Sequence, residues 1–258
     1  QKNLKDGDPM TVVLYGIDDD AQRHQENLGQ RSDSIVLMSI NPKDNKTVMV
    51  SVPRDTKTEI VGHNSTEKLN HAYAYGGPKM AVNSLEKLMD VPVDHYIAIN
   101  MDGVKTVVDE IGGVDIVSDA TFKFHNYQFE KGKKYHMDGD QALTYMRSRK
   151  EEGAGGDGGR QLRQQQVITA VAKEAFSMNS VTKLNGIFKA AQDNLRTDLS
   201  FIELNKFKSD YNKADDNVER LTINGQDAVG DDGLYYFYPN KDSLNEVKQK
   251  LKDNLELK

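Results

Sequence analysis

The sequence predicts a single layered α/β domain, and three observations carry that expectation. Short runs rich in β-branched residues recur along the chain, and stretches with apolar residues at helical spacing alternate with them. The 258 residues suffice for one large domain with a buried core, and they show no internal repeat, low-complexity tract or linker. Apolar residues make up 37% and charged residues 29%, which is polar for a globular chain but is not a disordered composition.

The elements follow in order. Residues 1–9 are polar, end at Pro9 and read as a leader, so the domain is expected over 10–258. Residues 11–17 form a β-branched apolar run that reads as a buried strand and delivers Asp18 at its end. Residues 19–30 are polar and aperiodic, the pattern of a mobile loop. Residues 34–40 and 47–52 read as two strands joined by a turn over Asn41-Pro42-Lys43-Asp44-Asn45. The breaker Gly76-Gly77-Pro78 precedes a helix over 79–89, where Ala81, Leu85, Leu88 and Met89 share one face. A strand over 91–99, a helix over 102–111 stopped by Gly112-Gly113, and a strand over 114–117 come next. Asp138 opens a helix, and residues 151–159 form a loop with five glycines. Helices are expected over 160–176, 181–195, 201–211 and 243–255, and strands over 218–223 and 234–238.

The charge is −6, which argues against a nucleic-acid partner, because that needs a basic face to displace counterions. The absence of cysteine excludes disulfides, thiolate metal sites and a Cys nucleophile. No apolar run approaches the ~20 residues that span a bilayer.

Against this acidic background arginine and aspartate recur together beside the strand-like runs: Gly16-Ile17-Asp18, Arg31-Ser32-Asp33-Ser34, Pro53-Arg54-Asp55-Thr56, Arg147-Ser148-Arg149 and Asp157 through Gln165. An arginine fork matches phosphate oxygens in pairs. Carboxylates at strand ends suit a hard divalent ion that keeps several waters and neutralises the same phosphates. The set reads as a metal-assisted site for a phosphorylated, pyrophosphate-bearing ligand, with Asp18 and Asp33 as metal ligands. Arg31, Arg54, Arg147, Arg149, Arg160 and Arg163 are the phosphate candidates, with Lys68 as an added point charge. Taken singly, each aspartate fits turn capping and each arginine fits a solvated ion pair; Arg163, one helical turn beyond Arg160, ranks below the others. Extended backbone at 147–149 would put both of its guanidinium groups on one side. His71 reads as a packed or hydrogen-bonded histidine. The glycine loop lacks the Gly-Lys-Ser/Thr of a Walker loop and reads as flexible cover over a site mouth.

These runs resemble the LytR–CpsA–Psr family of Gram-positive cell-wall enzymes. The resemblance rests on Leu14 to Asp18, Arg31 to Ser34, Ser51 to Thr56, Lys68 to Tyr73, Gly112 to Val114, Asp138 to Leu143, Tyr145 to Arg149 and Asp157 to Gln165, in order, covering roughly residues 10–180. Departures are mild: Ser34 where threonine is common, no Asp-Pro after the paired arginines, and acidic Asp19 and Asp20 after Asp18. The resemblance implies a three-layer α/β/α fold with a central mixed β-sheet. It also implies an N-terminal transmembrane helix ahead of the leader, and a catalytic domain on the extracytoplasmic face of the membrane. The implied activity moves an anionic glycopolymer, wall teichoic acid or capsular polysaccharide, from undecaprenyl pyrophosphate to the muramic acid C6 hydroxyl of peptidoglycan. Asp18 and Asp33 match the family's metal-associated carboxylates, for Mg2+ or Mn2+. Arg31, Arg54, Arg147, Arg149 and Arg160 match its pyrophosphate-binding arginines, with Lys68 nearby. Asp33, Arg54 and Arg31 form the catalytic set. A non-catalytic polyprenyl-pyrophosphate binding module and a polyprenyl pyrophosphatase are the alternatives; a DNA-binding regulator fits least.

Overall fold

The computed structural model describes residues 7–18, 30–177, 181–200, 202–205, 208 and 217–258. The chain divides into two compact units, Gln1–Ala98 with Thr197–Lys258, and Ile99–Arg196. In chain order the first unit opens with strands β1 (Met10–Asp18), β2 (Arg31–Asn41), β3 (Lys46–Ser51), β4 (Lys57–Ile60) and β5 (Ser65–Lys68). Helix α1 (His71–Met89) and strand β6 (His95–Asn100) follow. The second unit contains a 3-10 turn at Met101–Gly103, helix α2 (Val104–Glu110), and strands β7 (Val114–Val117), β8 (Phe122–Phe124), β9 (Tyr127–Phe129) and β10 (Lys134–Met137). Helices α3 (Gly139–Arg147), α4 (Gly156–Ser177) and α5 (Val181–Ala191) complete its helical part. The chain returns through β11 (Leu195–Thr197), β12 (Val218–Thr222), β13 (Gly225–Val229), β14 (Tyr235–Pro239) and helix α6 (Lys241–Asn254).

A mixed six-stranded sheet is central, in the order β11-β6-β1-β2-β3-β12. Its middle strands pair antiparallel and β12 lies parallel to β3. β1 to β3 are buried along nearly their whole length, which is why they read as continuous apolar runs without alternation. On one face Val13, Tyr15, Ile35, Leu37 and Val50 share a core with Ala72, Ala81, Leu85 and Met89 of α1 and with Val247 and Leu251 of α6. Val12, Leu14, Val36 and Met38 alternate with them and are buried as well. Asn254 ties α6 to the sheet: its buried amide donates to Ser39 O at 2.9 Å and to Ser39 Oγ at 2.8 Å.

Local chemistry explains the joints. Asn41 Oδ1 accepts from the amides of Lys43 and Asp44, and Asn45 takes a left-handed φ of 49°, closing the expected turn. α1 is two helices merged across a kink: Gly77 has φ 64° and ψ −155°, open only to glycine, and Pro78 restarts the helix. Asp138 caps α3, accepting from the Gln141 amide at 2.9 Å. Several boundaries differ from expectation: the helix expected over 79–89 begins at His71, ahead of the kink, and the strand expected over 91–99 spans His95–Asn100. The helix expected at 160 begins at Gly156, the one over 181–195 stops at Ala191 before β11, and the one over 102–111 opens with a 3-10 turn. The loop expected over 19–30 and most of the helix expected over 201–211 lie outside the described residues. Among the described residues no helix is long and apolar enough to cross a membrane.

In the second unit β7 and β10 pair antiparallel, with His136 opposite Asp115. His136 Nδ1 meets Asp115 Oδ1 at 2.8 Å and its Nε2 meets Gly112 O at 2.9 Å. The bond to Asp115, helped by Gly112 O, raises the histidine above its ordinary value of 6.5, and the same bond lowers Asp115 below 3.8. The raised histidine adds stability fully present below pH 6.5 and lost as pH rises through its folded value. The lowered aspartate adds stability fully present above pH 3.8 and lost as pH falls through its own. Both groups are exposed, so the effect is small. His136→Gln is expected to lower the melting temperature at pH 5 and leave it nearly unchanged at pH 9, as thermal melts at the two pH values will read.

Candidate active site

Two arginine–aspartate clusters carry the charged runs, one in each unit. In the first unit a β-bulge starts the cluster. Gly16 of β1 faces Ser34 of β2, but the next residue, Ile17, faces Ser32, so Asp33 is the residue added on β2. Such an extra residue leaves the ladder and re-aims its side chain. Asp33 is 6% exposed, and its Oδ1 lies 3.1 Å from NH1 of Arg54, itself 15% exposed. The segment bearing Arg54 is pinned on all sides. Thr56 N and Oγ1 both donate to Pro53 O, Asn70 N donates to Arg54 O at 3.1 Å, Leu69 N donates to Thr56 O, and Phe237 N donates to Asp55 O. Asp55 also approaches Arg54 Nε at 3.9 Å and pairs with Lys68 Nζ at 3.4 Å. Asp33, Arg54, Asp55 and Lys68 are thus one charged chain held by backbone bonds.

Arg31 opens β2 opposite Asp18, the last residue of β1. Its Nε is buried without a hydrogen-bond partner, a donor suited to an acceptor oxygen such as a phosphate's. Ser65, Glu67 and Tyr75, near this cluster, were not singled out from the sequence. Ser65, His71 and Tyr75 gather on Glu67, at 2.6, 3.2 and 2.6 Å. Burial opposes charge on Glu67, yet the bonds from Ser65, Tyr75 and His71 hold its carboxyl below the ordinary range. His71 is therefore a hydrogen-bonded histidine, as expected.

Asp18 and Asp33 stand on adjacent strands, with Arg31 the cross-strand neighbour of Asp18. Among the described residues no group of three or more His, Asp or Glu is placed to hold a metal ion. Mg2+ needs no such cage, because it is commonly held by one or two carboxylates together with waters and substrate phosphates. Two hard carboxylates beside phosphate-matching arginines fit that pattern.

In the second unit Asp157, in the first turn of α4, gathers the cations. Arg160 NH2 reaches its Oδ1 at 2.6 Å and Arg149 Nε at 3.7 Å, while Gln161 donates to its Oδ2. Arg160 is partly buried and Arg149 half-exposed. Arg147 differs from the expected pattern: it ends α3, and its NH2 pairs with exposed Asp102 at 2.7 Å. The helix stops between it and Arg149, so the two arginines meet different carboxylates and the extended alternation does not apply.

Arg163 is a correction. It is fully buried and pairs with Asp119, NH1 lying 3.2 Å from both oxygens. NH2 donates to Ser148 O and Ala154 O, and the guanidinium lies 4.8 Å from the centre of the Phe122 ring. Its NH1 and NH2 are spent inside the unit and the side chain is fully buried, the environment of a structural cation. The glycine stretch is corrected with it. Gly156 to Gly159 are helical, and a Cβ at Gly159 would collide with Ala154 O and crowd the Arg163 guanidinium. Gly159 allows the close packing at Arg163, and residues 156–159 belong to the helix and not to a flexible cover.

Residues 1–253 match the model of the LytR_cpsA_psr family. The chain belongs to the LytR_cpsA_psr family. A relative from Halalkalibacterium halodurans, the polyisoprenyl-teichoic acid–peptidoglycan teichoic acid transferase TagU, is 38% identical over 250 residues, covering 97% of this chain and 80% of the relative. The crystal structure of Bacillus subtilis TagU superposes with a TM-score of 0.78 at 35% identity, over 97% of this chain and 98% of that one. A structure of TagT bound to LIIa-WTA superposes with a TM-score of 0.77 at 31% identity, over 99% and 94% of the two chains.

The Arg163 correction is testable. Arg163→Met leaves Asp119 without its buried cation and is expected to destabilise the protein by ~3–5 kcal/mol in denaturant melts. Arg160→Met, at the half-buried position three residues away, should cost less than ~1 kcal/mol.

Proposed function

We propose that this chain is a transferase that moves an anionic glycopolymer from a polyprenyl-pyrophosphate carrier to peptidoglycan. Teichoic acid is the polymer that the TagU relative transfers, and TagT is the neighbour bound to LIIa-WTA. The acceptor is the muramic acid C6 hydroxyl, and the reaction takes place on the extracytoplasmic face of the membrane. The observation that carries this reading is the Arg54–Asp33 pair: an arginine fork held at 15% exposure against a bulge carboxylate, with its backbone segment pinned by four hydrogen bonds from Thr56, Asn70 and Phe237. A site so fixed meets a phosphate without further ordering, which is what phosphoryl transfer asks of a protein.

Arg54, with Arg31 beside Asp18, holds the pyrophosphate and stabilises the charge that spreads over its oxygens in the transition state. Lys68 adds a point charge and Asp55 keeps it in place. Arg147, Arg149 and Arg160 contribute to carrier binding on the strength of the family pattern. The acceptor hydroxyl attacks the phosphorus next to the glycan. A new P–O bond forms, the bridging P–O bond breaks with its electron pair leaving on undecaprenyl phosphate, and the hydroxyl releases its proton. Asp18 and Asp33 would hold Mg2+, which supplies neutralisation of the phosphate charge when bound.

Arg54→Ala is expected to lower transfer about a hundredfold in a protein that still folds but melts at a lower temperature, because the 6% exposed Asp33 loses its cation, and Arg54→Lys, which keeps charge but not the fork, to lower transfer by at least tenfold, both roughly the worth of a charge-assisted contact in a site. Radiolabelled lipid-linked polymer and purified peptidoglycan give the rates. Asp33→Ala should nearly abolish transfer, and EDTA should do the same to the wild-type protein, with activity returning on added Mg2+. Full transfer by both variants contradicts the assignment. Polymer release without peptidoglycan would mark a pyrophosphatase, and retention without turnover a binding module.

A further inference from the structure

Asn70 has a buried side-chain carbonyl that the fold does not use. The residue is 4% exposed, and its Oδ1 is buried with no hydrogen-bond partner. It occupies the N-cap of α1, where an asparagine ordinarily accepts from a backbone amide of the first turn. Here it makes no such bond, and its backbone is already helical, with φ −67° and ψ −15°. An orphaned buried carbonyl costs on the order of 1–3 kcal/mol, so an apolar residue would suit the fold better. Such costs persist where a ligand meets the group.

Placement and chemistry say which ligand. Asn70 N donates to Arg54 O, and the neighbouring Lys68 pairs with Asp55 next to Arg54, so the residue flanks the pinned arginine segment. A side-chain carbonyl only accepts hydrogen bonds, and ionised phosphate oxygens also only accept. Arg31, whose orphaned Nε is a donor, suits phosphate; the Asn70 oxygen does not. It needs an O–H or N–H.

We infer that Asn70 Oδ1 binds the acceptor, taking a hydrogen bond from a hydroxyl or amide N–H of the peptidoglycan sugar that receives the polymer. This rests on the transfer reaction proposed above and names an acceptor-side residue for it. The donors Arg31 and Arg54 serve the phosphates, and the acceptor atom of Asn70 serves the incoming sugar.

Asn70→Leu, close in size and apolar, separates this role from a structural one. The expected result is a melting temperature equal to or above wild type. The KM for a soluble peptidoglycan oligosaccharide should rise about tenfold, with the KM for the lipid-linked polymer within about twofold. Asn70→Asp keeps an accepting oxygen and should hold the acceptor KM closer to wild type than the leucine variant does. An unchanged acceptor KM, a fall in melting temperature with both KM values rising together, or equal losses in the Asp and Leu variants would overturn the contact. Arg54→Ala measured alongside divides the failures: if it is inactive while Asn70→Leu is normal, only the Asn70 contact falls. If Arg54→Ala is fully active, the transfer site falls and the contact with it.

Discussion

The ion pair between Asp33 and Arg54 is the constraint on which the first unit's charged chemistry depends. A carboxylate 6% exposed and an arginine 15% exposed are costly to desolvate, and they persist because the surrounding backbone brings them to 3.1 Å. The bulge between β1 and β2 puts Asp33 outside the regular ladder. The segment after β3 turns at Pro53–Thr56, and the strand leading into α1 locks it from the other side through Leu69 and Asn70. Breaking any of these releases the arginine. The same bonds place Lys68, Asp55 and Asn70 around it, so donors and acceptors arrive together in one rigid frame.

The two units use the same residue pair for opposite purposes. Arg163 is buried against Phe122 and Tyr145 while Asp119 keeps 13% exposure, and NH1 and NH2 of the guanidinium are spent on two carboxylate oxygens and two backbone carbonyls. That arrangement fixes the corner between α3 and α4. Arg160, one turn earlier on the same helix, is partly exposed beside Asp157. Exposure and the identity of the acceptor, not residue type, separate a structural arginine from a candidate phosphate ligand.

Much of this was legible in the sequence, and the reasons are physical. β1, β2 and β3 are continuous apolar runs because both sides of them are buried, and a run of that kind is conspicuous. Gly76-Gly77-Pro78 and Asp138 mark helix joints because few other residues tolerate those geometries. The hairpins β4–β5 and β8–β9 were not visible: β4 and β5 are largely polar, and the aromatic–polar–aromatic alternation of β8 and β9 lasts only three residues in each strand. The bulge at Asp33 is a matter of register between two strands, which no single run displays. Arg160 and Arg163 differ by three positions, and only packing tells which one points inward. Asn70 looked like part of a motif with Lys68 and His71; its unused carbonyl shows only once its neighbours are placed.

The central claim is that the pinned Arg54 fork recognises a pyrophosphate, and calorimetric titration with a short-chain polyprenyl pyrophosphate and the matching monophosphate in the presence of Mg2+ tests it most directly. The account predicts that the pyrophosphate binds at least about tenfold more tightly than the monophosphate, and that Arg54→Ala removes this difference while the protein stays folded. Equal affinities for the two ligands, or a preference that survives in Arg54→Ala, would contradict it.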